Sequence, residues 1–315
     1  MPEDSGSWTY VLVTPDGLVT ESLPWLVEKL RSSGLVPVAG RLIRLESATM
    51  LRIYDPSGRL QQSDFPSKRA FDLWYGLGPS CVLTLHYGDL DACDALLAVK
   101  GATNPAAASP DSIRYKGENG LLNLVHCPDD EVAAAEELAM LLGPKCAQTM
   151  QRLAMAPNDR VQSLTVDLLA DALPVSSGST ALSLPLLVGR IRLRLVQQAA
   201  LDAVSAASAT STESTLSTLV AVASALRDGQ QEIAKMTTSS DRVHVARALD
   251  GQVHGHLLSL ARLIQNPALE RSLHGLRAVL MGSEDDWLRT LAALEANGTY
   301  ISPAESAMLE ISTYL

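Results

Sequence analysis

The chain has 315 residues, of which 47% are hydrophobic and 19% charged, and its net charge at neutral pH is −10. This length and composition allow two ordinary domains and exclude a disordered or low-complexity protein. Residues 1–142 contain 11 Lys and Arg against 19 Asp and Glu, and the remainder contains 14 against 16, so neither half offers the basic surface that nucleic-acid binding needs.

The N-terminus and the cysteines indicate a compartment. Residues 1–7 are acidic and polar and lack the basic start and apolar run of a secretion signal. No apolar stretch is long enough to span a membrane. The cysteines are widely spaced, without a CxxC pair, and we interpret them as reduced thiols: Cys81, Cys93, Cys127 and Cys146. We therefore expect a cytoplasmic protein with neither a membrane nor a nucleic-acid partner.

The first half of the chain alternates strand and helix signals. In chain order these predict a strand over 8–13, a turn over 14–17, a helix over 23–30, strands over 35–45 and 80–85, a helix over 89–99, a loop over 101–120, a strand over 121–125 and a helix over 131–142. Asp129 and Asp130 are placed to cap the last helix. This order predicts an antiparallel sheet covered by helices.

The pattern changes after Gly143-Pro144, where strand signals almost vanish. Apolar residues at helical spacing predict helices over 145–155, 158–172, 187–208, 212–236, 240–265, 268–282, 285–296 and 303–314. The polar run 205–215 predicts a turn between two of them. We therefore predict two domains, residues 1–143 and an all-α domain over 144–315. No fixed repeat period is visible, so an irregular bundle is favoured over a solenoid.

The stretch from Gly101 to Glu137 contains the residues that carry chemistry. It reads Gly101-Ala-Thr103-Asn-Pro, then Ser-Ile-Arg114, then Asn123-Leu-Val-His126-Cys-Pro-Asp129, and ends at Glu137. Together with Val13-Thr14-Pro15-Asp16 and Gly78-Pro79, these segments resemble the nucleoside diphosphate kinase family over about residues 8–142. That family has Gly-x-Thr-Asn-Pro, Thr-Ile-Arg and Asn-x-x-His-Gly-Ser-Asp segments, followed by a glutamate.

The resemblance implies an α+β, ferredoxin-like sandwich and a ping-pong phosphoryl transfer. A nucleoside triphosphate would give its γ-phosphate to His126, which would pass it to a nucleoside diphosphate. Glu137 matches the family residue that orients the histidine, and Asn123 matches the asparagine beside the sugar and phosphate. Thr103 and Arg114 match residues that hold the β- and γ-phosphates, a task that suits the permanently charged fork of arginine. Mg²⁺ would arrive with the nucleotide, and we predict no resident metal site.

Two cations of the family are missing. Thr14 stands in place of the lysine of its Lys-Pro-Asp segment, and Leu97 aligns with an arginine. Phosphoryl transfer depends on positioning and charge neutralisation, and losing one preorganised donor costs about 10²–10³ in rate. Lys100 and Lys116 are close enough in sequence to act as substitutes.

Other positions also depart from the family. Gly-Ser after the histidine has become Cys127-Pro128, which removes a backbone N–H. The segment 46–75 matches poorly, and Tyr54 and Phe65 are candidates there for stacking on a base. In the second half, His254 and His256 are two residues apart and would face different sides of a helix. The carboxylates at 284–286 are placed to cap a helix that begins near Trp287.

Two functions stay open at this point. The first is a divergent nucleoside diphosphate kinase-like phosphotransferase that acts through phosphorylated His126 on nucleoside di- and triphosphates. The second is a catalytically impaired nucleotide-binding or regulatory scaffold, whose helical domain would dock a protein partner or a second copy. A catalytic role for the helical half itself is disfavoured, because its sequence contains no recognisable triad, metal site or phosphate loop.

Overall fold

The computed structural model describes residues 6–20, 22–54, 68–89, 91–173, 183–206, 209–236, 239–281 and 287–311. The chain divides into two compact units, Met1–Gln162 and Ser163–Leu315. The first is an α+β sandwich and the second is helical, which confirms the predicted fold class. The proposed domain boundary at 143/144 stays a prediction. Phe65 and the carboxylates at 284–286 lie outside the described residues.

The first unit is built on a four-stranded antiparallel sheet with the order β2-β3-β1-β4, the strand order of a ferredoxin-like sandwich. Its elements are β1 (Ser7–Val13), α1 (Pro15–Val19), α2 (Leu23–Ser32), β2 (Leu35–Ile43), α3 (Ser47–Tyr54), α4 (Lys68–Tyr75), β3 (Ser80–Tyr87), α5 (Ala92–Lys100), β4 (Val125–His126), α6 (Glu131–Leu142) and α7 (Pro144–Met155). Helix α8 (Asp159–Thr165) crosses the division between the units.

The inner strand β1 is buried along nearly its whole length. Every residue from Trp8 to Val13 is buried, because β1 pairs with β3 on one side and β4 on the other. Helices α5, α6 and α7 pack on this strand. Helix α7 is also fastened to β3, since Nδ1 of His86 lies 2.9 Å from the carbonyl oxygen of Ala154.

Two predicted elements of the first unit are wrong in detail. The predicted turn over 14–17 is the start of helix α1, because Pro15 is well suited to a first helical turn. The predicted strand over 121–125 is reduced to Val125–His126. The residues before it form a turn instead, in which the Asn119 side chain accepts hydrogen bonds from two successive backbone N–H groups. His126 therefore lies in the sheet itself.

The second unit is a bundle arranged around α10, which is buried along most of its length. It contains α9 (Leu169–Ala172), α10 (Leu184–Ala206), α11 (Ala209–Lys235), α12 (Ser239–Leu263), α13 (Pro267–Met281), α14 (Trp287–Ala296) and α15 (Pro303–Ile311). Helix α10 contacts α9, α11, α12, α13 and α15. A solenoid limits each repeat to its neighbours, so this arrangement is a bundle.

Two predictions for these helices need correction. The single helix predicted over 158–172 is divided into α8 and α9 by a turn at 166–168. The polar run 205–215 lies mostly inside helices, since α10 ends at Ala206 and α11 begins at Ala209. Inside α10 the hydroxyl of Ser205 finds its partner within the helix, because it donates to the carbonyl oxygen of Leu201 at 2.8 Å.

Buried ion pairs fix α10 within the bundle. Arg194 is 4% exposed and donates to both carboxylate oxygens of Glu305, at 2.7 and 2.8 Å. Arg192 pairs with the fully buried Asp250 of α12. Removing one partner of such a pair leaves an uncompensated buried charge, which is strongly destabilising. These pairs therefore specify how α10 packs against α12 and α15.

The two histidines of α12 that lie two residues apart differ in their exposure to solvent. His254 is buried and His256 is exposed. Burial lowers the pKa of His254 to about 4, so its imidazole is neutral at physiological pH.

Within the described ranges, no group of three His, Cys, Asp or Glu side chains is arranged to hold a metal ion. In the same part of the chain, no helix combines the length and apolarity needed to cross a membrane.

The close packing of α13 on α14 is testable at Gly275. A Cβ atom at this position would lie 2.1 Å from Oγ1 and 2.9 Å from Cβ of Thr290. We expect Gly275→Ala to lower the free energy of unfolding by about 1–3 kcal/mol, because the helices must separate. Gly255→Ala in α12 meets nothing within 4 Å and should stabilise by up to about 1 kcal/mol through helix propensity.

Urea denaturation of the two variants measures this contrast. Equal midpoints for Gly275→Ala and Gly255→Ala would show that α13 and α14 are not packed as closely as described.

Candidate active site

A cleft of about 360 Å³ opens beside strand β4. The five residues singled out from the sequence all lie on its wall: Thr103, Arg114, Asn123, His126 and Glu137. The other lining residues come from α3, α4, α5 and the segments around β4: Ile53, Tyr54, Trp74, Lys100, Gly120, Leu121, Cys127 and Asp129. The fold thus brings together residues that are up to 84 positions apart in the sequence.

Strand β4 and helix α6 determine where the two central side chains meet. His126 pairs with Leu12 of β1, which fixes its backbone at the end of the sheet. Helix α6 then begins behind an N-cap in which Asp130 accepts from the N–H of Ala133 at 2.8 Å, as predicted for this residue. Glu137 lies about two turns into α6, and its carboxylate contacts the imidazole of His126.

A buried carboxylate holds the segment that leads into β4. Asp16 accepts hydrogen bonds from Nε1 of Trp74 at 2.8 Å and from the backbone N–H of Leu124 at 2.9 Å. Leu124 has a φ of 75°, a left-handed conformation that is costly for a branched residue. Gly17 permits the close approach, because a Cβ there would lie 2.8 Å from the Leu124 carbonyl oxygen. The backbone before His126 is therefore held in place from α1, the helix that follows β1.

The imidazole of His126 is oriented by one carboxylate oxygen. Its Nε2 lies 2.9 Å from Oε2 of Glu137, and the hydroxyl of Tyr10 donates to the same oxygen. Burial and the charge of Glu137 raise the pKa of Tyr10 well above its usual value, so the phenol keeps its proton. Oε2 is then an acceptor for both groups, which places the imidazole proton on Nε2. Nδ1 keeps its lone pair and has no hydrogen-bond partner among the described residues.

The surroundings of His126 leave a small part of it open to the cleft. Its side chain is 10% exposed and that of Glu137 is 12% exposed. Tyr54, considered above for stacking on a base, lies edge-on to the imidazole, with ring centroids 5.2 Å apart and an interplanar angle of 73°. Burial raises the pKa of Tyr54 to about 12. The imidazole is thus packed on one side and reachable from the other.

The part of the cleft wall that contains Thr103, Arg114 and Asn123 is held by its own hydrogen bonds. Arg114 donates from Nε and Nη2 to the carbonyl oxygen of Val125, at 3.3 and 2.9 Å, and from Nη1 to Oγ1 of Thr103 at 3.1 Å. Asn123 donates from Nδ2 to the carbonyl oxygens of Thr103 and Gly120, at 3.1 and 2.9 Å. This network joins the loop after α5 to strand β4, and it fixes a guanidinium and a hydroxyl beside His126.

The positions of the missing family cations supply no charge to the cleft. Thr14 is fully buried and its hydroxyl lacks a hydrogen-bond partner in the described part of the chain. Neither Thr14 nor Leu97 is among the described lining residues. Of the two lysines considered as substitutes, Lys116 places its ammonium 3.7 Å from the ring centroid of Trp25. Lys100 lines the cleft.

The thiol next to His126 is not a nucleophile at physiological pH. Cys127 is 3% exposed. Its burial raises the pKa to about 12, although Lys100 and Arg114 act in the opposite direction. The side chain therefore stays a neutral thiol in the wall of the cleft.

Comparisons with known proteins identify this unit. The family model for nucleoside diphosphate kinase matches residues 7–146. The nucleoside diphosphate kinase of Methanosarcina barkeri is 33% identical over 135 residues, which are 42% of this chain and 85% of that protein. The chain belongs to the nucleoside diphosphate kinase family through its first unit. The enzyme of Methanoregula boonei is 29% identical over 139 residues, covering 43% of this chain and 87% of that protein.

Solved structures of the nucleoside diphosphate kinase family also align with this unit. The halophilic enzyme from Halobacterium salinarum, solved in complex with CDP, is 27% identical, covers 43% of this chain and 86% of that one, and has a TM-score of 0.37. The family match ends near the start of α7, so it does not describe the helical unit.

Sequence reasoning missed the role of Tyr10. The sequence contains part of the information, because Tyr10 and Leu12 are two residues apart on a strand and therefore share one face of the sheet. The structure adds that Leu12 pairs with His126. Tyr10 is therefore on the same face of the sheet as His126. Sequence reasoning had no signal for the position of Glu137 relative to Tyr10, since 127 residues separate them.

The shared carboxylate oxygen makes a prediction about alkaline stability. As the pH rises past about 10, the unfolded chain loses its tyrosine protons, whereas folded Tyr10 keeps its proton because its pKa is raised. The unfolded state then binds fewer protons than the folded state, so the free energy of unfolding falls with pH. We expect Tyr10→Phe to reduce this fall.

Urea denaturation from about pH 8 to about pH 11 measures the slope for wild type and Tyr10→Phe. Tyr115→Phe removes a tyrosine that is 50% exposed and is the matched control, for which we expect the wild-type slope. Superimposable slopes for all three proteins would contradict the burial and hydrogen bonding of Tyr10.

Proposed function

We propose that the first unit is a phosphotransferase that carries a phosphoryl group on Nδ1 of His126, from a nucleoside triphosphate to a nucleoside diphosphate. The observation that carries this proposal is the hydrogen bond of 2.9 Å between Nε2 of His126 and Glu137. It leaves the other ring nitrogen as the nucleophile, in a cleft that also contains Thr103 and Arg114. Membership of the nucleoside diphosphate kinase family supports the substrate class.

The first half-reaction forms one bond and breaks one. The lone pair of Nδ1 attacks the γ-phosphorus, a P–N bond forms, and the bond from the γ-phosphorus to the bridging oxygen breaks. The nucleoside diphosphate leaves with that electron pair. The imidazole becomes a cation while it is phosphorylated, and the carboxylate of Glu137 stabilises this charge through the Nε2 proton. In the second half-reaction a terminal oxygen of another nucleoside diphosphate attacks the phosphorus and the P–N bond breaks.

The part of the wall that contains Thr103, Arg114 and Asn123 supplies positioning and charge. The guanidinium of Arg114 and the hydroxyl of Thr103 are held together at 3.1 Å, which preorganises two donors for phosphate oxygens. Asn123 holds the backbone of Thr103 in place. Such preorganisation matters because phosphoryl transfer is catalysed mainly by positioning and electrostatic stabilisation.

Magnesium fits this cleft as a companion of the nucleotide. Asp129 places a carboxylate on the wall, and the described residues include no cluster of three side chains that would form a dedicated metal site. Mg²⁺ usually binds through one or two carboxylates together with substrate phosphates and water. Asp129 would hold the ion, and the ion would neutralise charge on the nucleotide phosphates.

A second candidate function is nucleotide binding without turnover, with the helical unit as the working surface. The observation that favours it is the loss of both family cations, since Thr14 is buried and Leu97 is apolar. The wall that holds Thr103, Arg114 and Asn123 would still bind phosphates. The two candidates differ in one property, which is a phosphorylated His126.

Labelling with γ-labelled ATP separates the two functions. We expect acid-labile label on the wild-type chain, no label on His126→Asn, and loss of the label when GDP or CDP is added. Binding of ADP by wild type without any labelling, under conditions that label an ordinary nucleoside diphosphate kinase, would exclude turnover and support the second candidate.

The orienting role of Glu137 gives a quantitative prediction. In Glu137→Gln the amide can donate to Nε2, which favours the tautomer with its proton on Nδ1 and blocks the nucleophile. We expect single-turnover phosphorylation of His126 to slow by about 10²–10⁴-fold, the contribution typical of a positioned acid–base group. Affinity for ADP should be unchanged. Glu136→Gln, which changes an exposed neighbour on α6, is the matched control. Equal rates in both variants would refute the orienting role.

A further inference from the structure

The cleft has few positive groups for a ligand that carries several negative charges. Among the described residues that line it, the cations are Arg114 and Lys100. Nucleoside diphosphates carry a charged phosphate chain, and its binding requires donors that neutralise this charge. The question is therefore which of the two cations is free to act.

Arg114 is largely committed to the protein. A guanidinium has five N–H donors, and Arg114 uses Nε and Nη2 on the Val125 carbonyl oxygen and Nη1 on Thr103. These hydrogen bonds stabilise the wall of the cleft, and the same side chain lines the cleft. The remaining N–H groups can meet one phosphate, but a chain of two or three phosphates needs a further cation.

Lys100 has the opposite properties. It is the last residue of α5 and lines the cleft half-buried. In the described part of the chain its ammonium has no hydrogen bond and no ion pair. Gly101 follows with a φ of 83°, and a Cβ there would lie 2.3 Å from Oγ of Ser112. The backbone at the end of α5 is therefore packed in one position, which fixes the base of the Lys100 side chain beside Thr103.

The nearby charges leave Lys100 available to a ligand. Asp129 shares the wall without forming an ion pair with Lys100 among the described contacts. The positive charge of Lys100 reaches Cys127, the residue after His126, where it opposes the effect of burial on the thiol. Lys116 is not an equivalent, since its ammonium is over the ring of Trp25.

We propose that Lys100 binds the phosphate chain of a nucleoside di- or triphosphate and replaces the cations lost at Thr14 and Leu97. This inference rests on the proposed function for its ligand class, but it concerns binding and not transfer. A lysine is a compact point charge on a flexible stem with three donors, so Lys100 can follow the phosphate chain while Arg114 stays in its network.

The test compares the affinities of the full chain for ADP and adenosine by equilibrium dialysis with Mg²⁺. In Lys100→Met we expect ADP to bind roughly 10- to 100-fold more weakly, the range for loss of a charged hydrogen bond. Adenosine should bind with unchanged affinity, because it has no phosphate. Lys100→Arg should keep ADP affinity within about threefold of wild type, since the charge is retained.

Lys145→Met is the matched control, because Lys145 is exposed on α7 and does not line the cleft. It removes the same charge and should bind ADP as wild type does. If Lys100→Met and Lys145→Met bind ADP equally, the proposal is wrong. It is also wrong if wild type binds no ADP. Circular dichroism and rescue by Lys100→Arg separate a lost contact from a misfolded chain.

The failure of this proposal can be told apart from that of the proposed function. Label on His126 together with wild-type ADP affinity in Lys100→Met would overturn only the role of Lys100. Absence of label together with weakened ADP binding in Lys100→Met would overturn only the transfer reaction and support Lys100 as a phosphate-binding residue.

Discussion

The proposed chemistry of the first unit depends on one carboxylate oxygen. Oε2 of Glu137 accepts from both Tyr10 and His126, and this double acceptance decides which ring nitrogen carries the proton. The neighbouring elements hold the two hydrogen-bonding side chains and the backbone before His126 in position. Strand β1 supplies Tyr10, and Asp16 holds the backbone at Leu124 in a conformation of positive φ. A shift of that segment would move the imidazole away from the carboxylate, and a hydrogen bond weakens steeply with distance and angle.

The second constraint is charge. Thr14 and Leu97, which stand where the family resemblance predicts cations, carry no charge, and Arg114 is held by the backbone of Val125 and by Thr103. Such a guanidinium is well positioned but has few free donors, and for this reason we assign additional neutralisation to Lys100 at the end of α5. In the helical unit the charges that need compensation are buried inside the protein. Its buried Arg192 and Arg194 are paired with Asp250 and Glu305, which compensates charges that have left water.

Local patterns in the sequence were sufficient for the fold class and most elements. Short runs rich in strand-forming residues predict β1 and β3, and helical apolar spacing predicts α6, because strands buried on both faces are continuously apolar whereas this helix buries one face. The motif residues His126, Asn123, Thr103 and Arg114 resemble those of the family in order and spacing, which indicated a common site. The same reasoning failed at 121–125, where the Asn119 side chain accepts from the backbone N–H of Leu121 and Asn123 donates to the carbonyl oxygen of Gly120, and these bonds override a strand-like composition.

Contacts between distant parts of the chain could not be read from the sequence. The hydroxyl of Tyr10 meets a carboxylate 127 positions away, and its partner depends on how α6 packs on β1. The sequence placed Lys100 and Lys116 on equal terms as substitute cations, and packing separated them, because Trp25 is beside one and the cleft beside the other. Residue types and their periods follow from local chemistry, whereas the partner of each polar group follows from the close packing of elements that are remote in sequence.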